Sequence, residues 1–171
     1  MKAEKISLEN AKENKLFYFV ANLIIYRESD KRCLILKRSS EEKVHPDKYC
    51  VPGGKLEGEN FDLKNPTRMN GDVYDFENTL ENLLRREVRE ESGLEVVNDF
   101  HYINSVGFVR PDGIPVMMQK FTAKYLSGEV ELEQGAFTSH VWVNREEVEN
   151  YDCIGGIKGE IIKAIDLFDK L

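Results

Sequence analysis

Cysteine is scarce in this sequence. The three residues, Cys33, Cys50 and Cys153, are odd in number and scattered. That excludes a disulfide framework and offers no zinc-ligand spacing, so each reads as a small buried apolar residue or a free thiol. Positive charge is also short. Lys and Arg total 24 against 31 Asp and Glu, a formal net charge of -7. Proteins that hold bulk nucleic acid present basic surfaces. The balance therefore argues against DNA or RNA as a partner, and is compatible with a small anionic substrate bound through a metal ion. No apolar run approaches the ~20 residues of a membrane-spanning helix, and residues 1–15 are too polar for a secretory signal. The cytoplasm is the expected compartment. Internal repeats and low-complexity tracts are lacking. The histidines, His45, His101 and His140, are isolated and read as structural or exposed rather than catalytic.

What remains is an ordinary globular composition over 171 residues, long enough for one domain with a real core. Residues 1–15 read as a short helix or a disordered lead. Residues 16–26, rich in Phe, Tyr, Val and Ile, predict a buried strand. Glu28-Ser29-Asp30 supplies a turn, and residues 33–36 the returning strand of a hairpin. Tyr49-Cys50-Val51 is a short apolar stretch before Pro52-Gly53-Gly54, a turn signal. Residues 61–74 read as a long polar loop. A helix is expected over 79–92, with Asn78 and Glu81 as a capping box and Gly93 at its C-terminal cap. Residues 102–110 and 115–125 predict paired strands joined by Pro111-Asp112-Gly113. Residues 140–143 predict a short strand, Asn144 a cap on a short helix, and 159–171 a last amphipathic helix. The mixture implies an α/β protein with a central mixed sheet flanked by helices.

The 79–92 helix breaks local rules. At about 100° per residue, Leu80, Leu83, Leu84 and Val88 form one stripe facing the core. Glu87 and Glu91 continue that stripe, and Glu90 flanks them. Unpaired carboxylates on an inward face cost several kcal/mol each, by rough estimate. Acidic groups in the last helical turn also oppose the helix dipole. A bound divalent cation relieves both. The same run reads equally as a solvated face laced with i,i+4 ion pairs, such as Arg86 with Glu90.

Gly53-Gly54-Lys55-Leu56-Glu57-Gly58-Glu59, followed later by Arg86-Glu87-Val88-Arg89-Glu90-Glu91-Ser92-Gly93-Leu94, resembles the Nudix box. That pattern is glycine, five residues, glutamate, seven residues, then Arg-Glu-apolar-any-Glu-Glu-any-Gly-apolar. Its second half is matched at every fixed position. In the first half, Glu59 fits the spacing from Gly53 but is one residue short from Gly54. The gap before the helix is expanded by roughly twenty residues, far beyond a usual connection. This insert runs from Asn60 to about Glu77, so either Glu59 or Glu77 can fill the box glutamate, with Glu59 preferred because Gly58-Glu59 keeps the usual dipeptide. Ser127-Gly128-Glu129, and Val141-Trp142-Val143 before Glu146-Glu147, also resemble a common Nudix ending.

The resemblance covers residues 16–171 as a single Nudix hydrolase domain behind an N-terminal lead. It implies the Nudix fold, a mixed β-sheet sandwiched between α-helices with the box as a loop-helix-loop. It also implies cleavage of a phosphoanhydride bond in a nucleoside triphosphate, nucleotide sugar or related diphosphate, with Mg2+, or Mn2+ as a substitute. A non-catalytic nucleotide-binding module of the same fold is the alternative. By motif match Glu87, Glu90, Glu91 and the Gly53 carbonyl are metal ligands, with Glu91 or Glu87 also suited to activate water, while Arg86 orients carboxylates. Glu59 joins the catalytic set. Arg38, Lys55 and Gly54 are candidates for substrate phosphates, with a plain surface role open for Arg38 and Lys55. Some Nudix enzymes take a further glutamate from the loop before the Trp-bearing strand. Here that loop holds Glu131 and Glu133, away from the usual place near Ala136, which leaves the role open. Trp142 reads as core rather than as a stacking platform. The insert reads as a lid or rim over the cleft, or as a solvated loop. A homodimer is common in such proteins.

Overall fold

The computed structural model describes residues 2–171. Residues 2–17 are exposed and contribute one 3-10 turn, Glu13–Lys15, in place of the expected helix or disordered lead. The first strand, β1 (Tyr18–Arg27), starts later than its aromatic sequence suggests, and Leu16 and Phe17 stay exposed. Lys31, at φ 57°, turns the chain into β2 (Arg32–Arg38), which pairs antiparallel with the end of β1 through Tyr26↔Cys33 and Arg27↔Arg32.

The beginning of β1 takes a different partner. β3 (Tyr49–Cys50) pairs with β2, and β4 (Gly53–Lys55) pairs with β1 through Asn22↔Gly53, Ala21↔Gly54 and Val20↔Lys55. The two glycines of the Pro-Gly-Gly turn predicted here therefore lie in a strand. Its first glycine serves close approach: a Cβ on Gly53 would lie 2.4 Å from the Ala21 carbonyl oxygen.

The long loop predicted over 61–74 contains a hairpin of its own, β5 (Arg68–Asn70) with β6 (Val73–Asp75), apart from the main sheet. Its two-residue turn is Gly71-Asp72, with Gly71 at φ 63° as a type II′ turn requires. Arg68 ties it together through Asp75 at 2.7 Å and Glu77 at 3.0 Å, and Phe61 meets Phe76 edge-on. α1 (Thr79–Ser92) follows and ends on Gly93 at φ 69°, both as expected. The capping box does not form. Asn78 sits at φ 56°, outside the extended geometry of a capping residue, and its side chain makes no capping hydrogen bond.

The remaining elements are β7 (Glu95–Val96), β8 (His101–Val109), β9 (Pro115–Ser127), β10 (Phe137–Val143) and α2 (Ile157–Phe168). Asn144 does cap the short turn between β10 and α2, its Oδ1 accepting from the backbone N–H groups of Glu146 and Glu147. The main sheet has eight strands in the order β10-β2-β1-β9-β7, with β3, β4 and β8 joined to β2, β1 and β9. β1 and β9 are parallel and the other pairs antiparallel, so the sheet is mixed. α1 packs on β1, β4 and β7, and α2 on β1, β2 and β8. Both faces of β1 are covered: Leu23 and Ile25 alternate with Ile24 and Tyr26, all buried, and Tyr26 stacks on Phe168 of α2 at 4.8 Å. Beneath α2, Lys120 of β9 pairs with Glu160 at 2.5 Å, and both are buried.

Candidate active site

Leu83, Leu84 and Val88 anchor α1 in the core, and the same face carries Glu87 and Glu91 onto β4. Glu91 Oε2 accepts a hydrogen bond from the Gly53 N–H at 2.9 Å. Glu87 lies against the next residue: a Cβ on Gly54 would stand 2.3 Å from Glu87 Cδ. The two glycines thus let one short strand approach β1 on one side and two helix carboxylates on the other. Arg86 holds this arrangement from the flank, donating to Glu87 Oε1 at 2.7 Å and to Glu59 Oε1 at 3.3 Å. The i,i+4 pair of Arg86 with Glu90 is not formed, because Arg86 turns to Glu87 and Glu59 instead. Glu90 is exposed. Of the two candidates for the box glutamate, Glu59 meets Arg86, while Glu77 is drawn into the hairpin by Arg68.

Burial pushes the Glu91 carboxyl up to about 8; the charges of Glu87 and Glu133 add to this, against the Gly53 N–H and Arg38. Burial likewise raises Glu87, opposed by Arg86 and reinforced by Glu90 and Glu133. Glu133 is therefore brought to the cluster by the loop between β9 and β10. Two backbone hydrogen bonds pin that loop to the end of α1, from Glu131 N–H to the Ser92 oxygen at 3.0 Å and from Glu133 N–H to the Glu91 oxygen at 3.3 Å. Sequence spacing alone left this glutamate open. The available signal was the acidic loop itself, since its docking depends on the orphan carbonyls at the helix end.

The expected phosphate contacts are distributed more widely. Arg38 is tethered to the Val44 carbonyl at 3.0 Å and to Glu42, and its charge reaches Glu91. Lys55 is exposed, with Nζ 5.8 Å from the Tyr18 ring centroid. Trp142 packs against the core, its face covered by the Arg27 guanidinium at 4.0 Å and its side met edge-on by Tyr125. Burial raises all three thiols, Cys50 to about 12, so they stay protonated near neutral pH. His101 sits edge-on to Phe168, away from the acidic cluster.

Among the described residues, no group of three or more His, Cys, Asp or Glu side chains is already gathered as a cation cage. The donor set nonetheless fits a hard divalent cation. Glu87, Glu91 and Glu133 offer only oxygen, and the charge of Glu133 adds to the raised proton affinity of Glu87 and Glu91. Beside them a cleft of about 300 Å³ opens between the insert and α1, lined among others by Asn60, Asp62, Glu77, Asn82 and Arg86. No described helix is long and apolar enough to cross a membrane.

No protein-family model matches the sequence, and no curated protein matches it. Solved structures do. The MutT protein from Methanosarcina mazei superimposes with a TM-score of 0.63 at 21% identity, over 94% of this chain and 100% of that one. The Nudix domain of Shewanella oneidensis NrtR, solved with ADP ribose, gives 0.68 at 15% identity over 94% and 96%. An Ap4A hydrolase from C. elegans gives 0.60 at 16% identity over 90% and 99%. The mixed sheet between two helices, with β4 and α1 holding the glycine and glutamate halves of the motif, is the Nudix fold.

Proposed function

We propose that this protein is a Nudix hydrolase that cleaves a phosphoanhydride bond in a nucleoside triphosphate, a nucleotide sugar or a related nucleoside diphosphate derivative. The observation that carries the reading is the pair Glu87 and Glu91, carboxylates held on the inward face of α1 against Gly53 and Gly54. A helix that only needed a soluble surface has no use for acids there, where burial opposes their charge. Glu87, Glu90, Glu91 and the Gly53 carbonyl would hold Mg2+ or Mn2+, which neutralises phosphate oxygens and activates water when bound. Arg86 positions Glu87. Glu91 or Glu87 would also take the proton of an attacking water. Arg38 and Lys55 supply positive charge for phosphates from two sides. The unit proposed is residues 16–171, working in the cytoplasm.

The test is phosphate or pyrophosphate release from nucleoside triphosphates, nucleotide sugars and dinucleotides, with ADP ribose and Ap4A included because structural neighbours were solved with, or act on, them. Turnover with magnesium that collapses in Glu91→Gln supports the reading. No turnover across the panel with magnesium or manganese overturns it. A second reading, a nucleotide-binding module without turnover, is favoured by the insert and by carboxylates not yet gathered into a cage. It predicts thermal stabilisation by a panel member with no product formed.

A further inference from the structure

Past the end of β2 the chain leaves the sheet through residues 39–48 and returns to it as β3. Backbone bonds close this loop. The Arg38 N–H donates to the Lys48 oxygen at 3.0 Å, the Glu42 N–H to the Ser39 oxygen at 3.2 Å, and the Ser39 N–H to the Ala136 oxygen at 2.8 Å. Arg38 Nε adds a bond to the Val44 carbonyl at 3.0 Å. None of these uses the Glu42 carboxylate. That group accepts from Arg38 Nη2 instead, with 23% of the Arg38 side chain and 33% of the Glu42 side chain exposed. An ion pair so open to solvent adds little to stability. The loop therefore keeps its shape without it.

The place of Arg38 gives the pair another use. Arg38 lies opposite Phe137, next to the end of the loop that brings Glu133 to Glu91. Its charge is felt at Glu91, yet it pairs with Glu42 and not with Glu91. Held in this way, the guanidinium stays beside the acidic cluster without covering a carboxylate that a metal ion needs. Glu42 offers Arg38 what a phosphate would offer, namely anionic oxygen within reach of the guanidinium fork. A terminal phosphate carries more charge than one carboxylate, and the pair it must break is weakened by solvent.

We propose that Glu42 is a built-in competitor for the substrate: it holds Arg38 until a phosphate group displaces it, and so sets how tightly phosphates bind beside Glu91. The proposal rests on the phosphate-binding part of the hydrolase reading. It adds to that reading a residue that tunes affinity through Arg38 and touches no reacting atom.

The test is calorimetry of inorganic pyrophosphate binding with magnesium present. It compares wild type, Glu42→Gln, Arg38→Gln and the double variant of the two. Glu41→Gln is the control for charge alone, because Glu41 is exposed and its carboxylate pairs with no described residue. Glu42→Gln should bind pyrophosphate about three- to tenfold tighter than wild type. Glu41→Gln should bind as wild type does, and the gain from Glu42→Gln should vanish once Arg38 is replaced. An equal gain in Glu41→Gln, or a gain that survives without Arg38, overturns the proposal. So does pyrophosphate that binds wild type and Glu42→Gln alike, or binds neither. With a nucleotide that is turned over, the gain should appear in KM and not in kcat. A lower kcat together with a lower Tm would make Glu42 a support of the loop and end the proposal. Tighter, Arg38-dependent binding by Glu42→Gln without turnover of any nucleotide would uphold it while the hydrolase reading failed.

Discussion

Gly53 and Gly54 are neighbours, yet a methyl group added to each meets a different kind of obstacle. On Gly53 it would strike the Ala21 carbonyl at 2.4 Å and the Asn22 backbone at 2.7 Å. Backbone cannot step aside, so Gly53→Ala should destabilise the protein by roughly 1–3 kcal/mol, read by urea denaturation. On Gly54 it would strike the far end of the Glu87 side chain, which can move. Gly54→Ala should therefore keep a near-wild-type melting temperature while hydrolysis falls by about 10–100-fold, because Glu87 is displaced. Glu91 makes a prediction in pH. Its folded value of about 8 lies above the ordinary glutamate value of 4.5. Below 4.5 the carboxyl is protonated in both folded and unfolded chains and costs nothing. As pH rises from about 4.5 to about 8 the unfolded chain ionises first, and folding loses up to roughly 1.4 kcal/mol per pH unit. In a chelator, wild type should melt progressively lower across that window. Glu91→Gln should not, so the two curves should diverge with pH. Parallel curves would mean that Glu91 is not held in this environment.

The elements differ in how openly the sequence declares them. α1 was legible to the residue, because its apolar stripe and Gly93 are both local signals. Helical spacing put Glu87 and Glu91 on the continuation of that stripe, but left a solvated face equally open until the resemblance to the Nudix box was added. The strand at Gly53–Lys55 was hidden, because its glycines look like a turn until Ala21 and Glu87 are placed beside them. The hairpin in the insert carried Gly71-Asp72, a two-residue hairpin turn signal, but β5 is exposed, β6 is only partly buried, and neither shows the alternation that marks a half-buried sheet. Glu133 was undetermined for another reason: its position depends on a loop docking to carbonyls at the end of α1. That docking has its own test. A Cβ on Gly93, already left-handed at φ 69°, would meet Glu131 Cβ at 3.0 Å and the Glu129 oxygen at 3.2 Å. Gly93→Ala should cost about 1 kcal/mol or more in stability from the helix cap alone. It should also reduce activity, since the loop bearing Glu133 must move. Loss of stability with unchanged kcat/KM would show that Glu133 takes no part.

At the scale of the whole molecule, the sheet face under α2 holds its own charges. Lys120 and Glu160 pair at 2.5 Å with side chains 6% and 5% exposed, and Glu160 Oε2 has no hydrogen-bond partner. Removing one partner of such a pair leaves the other charge buried. Lys120→Met should cost roughly 3–5 kcal/mol by chemical denaturation, and Lys120→Met with Glu160→Leu should recover most of it. If the single variant is no less stable than wild type, the buried pair contributes no net stability. The mixed sheet and its two helices were anticipated from the alternation of strand and helix signals. The parallel joining of β1 to β9 was not, because no local pattern reports which distant strand a buried one will choose.

That joining sets an order of events during synthesis. The Thr122 hydroxyl reaches the Ile24 carbonyl across a sequence separation of 98. β1 leaves the ribosome before the other strands of this sheet, and its hairpin partner β2 follows within a few residues. β9 emerges only after β4, the insert and α1. Through that interval one edge of β1 is bare, open to other chains or to chaperones. The acidic helix likewise waits without a completed sheet to lie on. Folding of this protein should be slow for its size, with its last step the insertion of β9 rather than the formation of the helix that carries its chemistry.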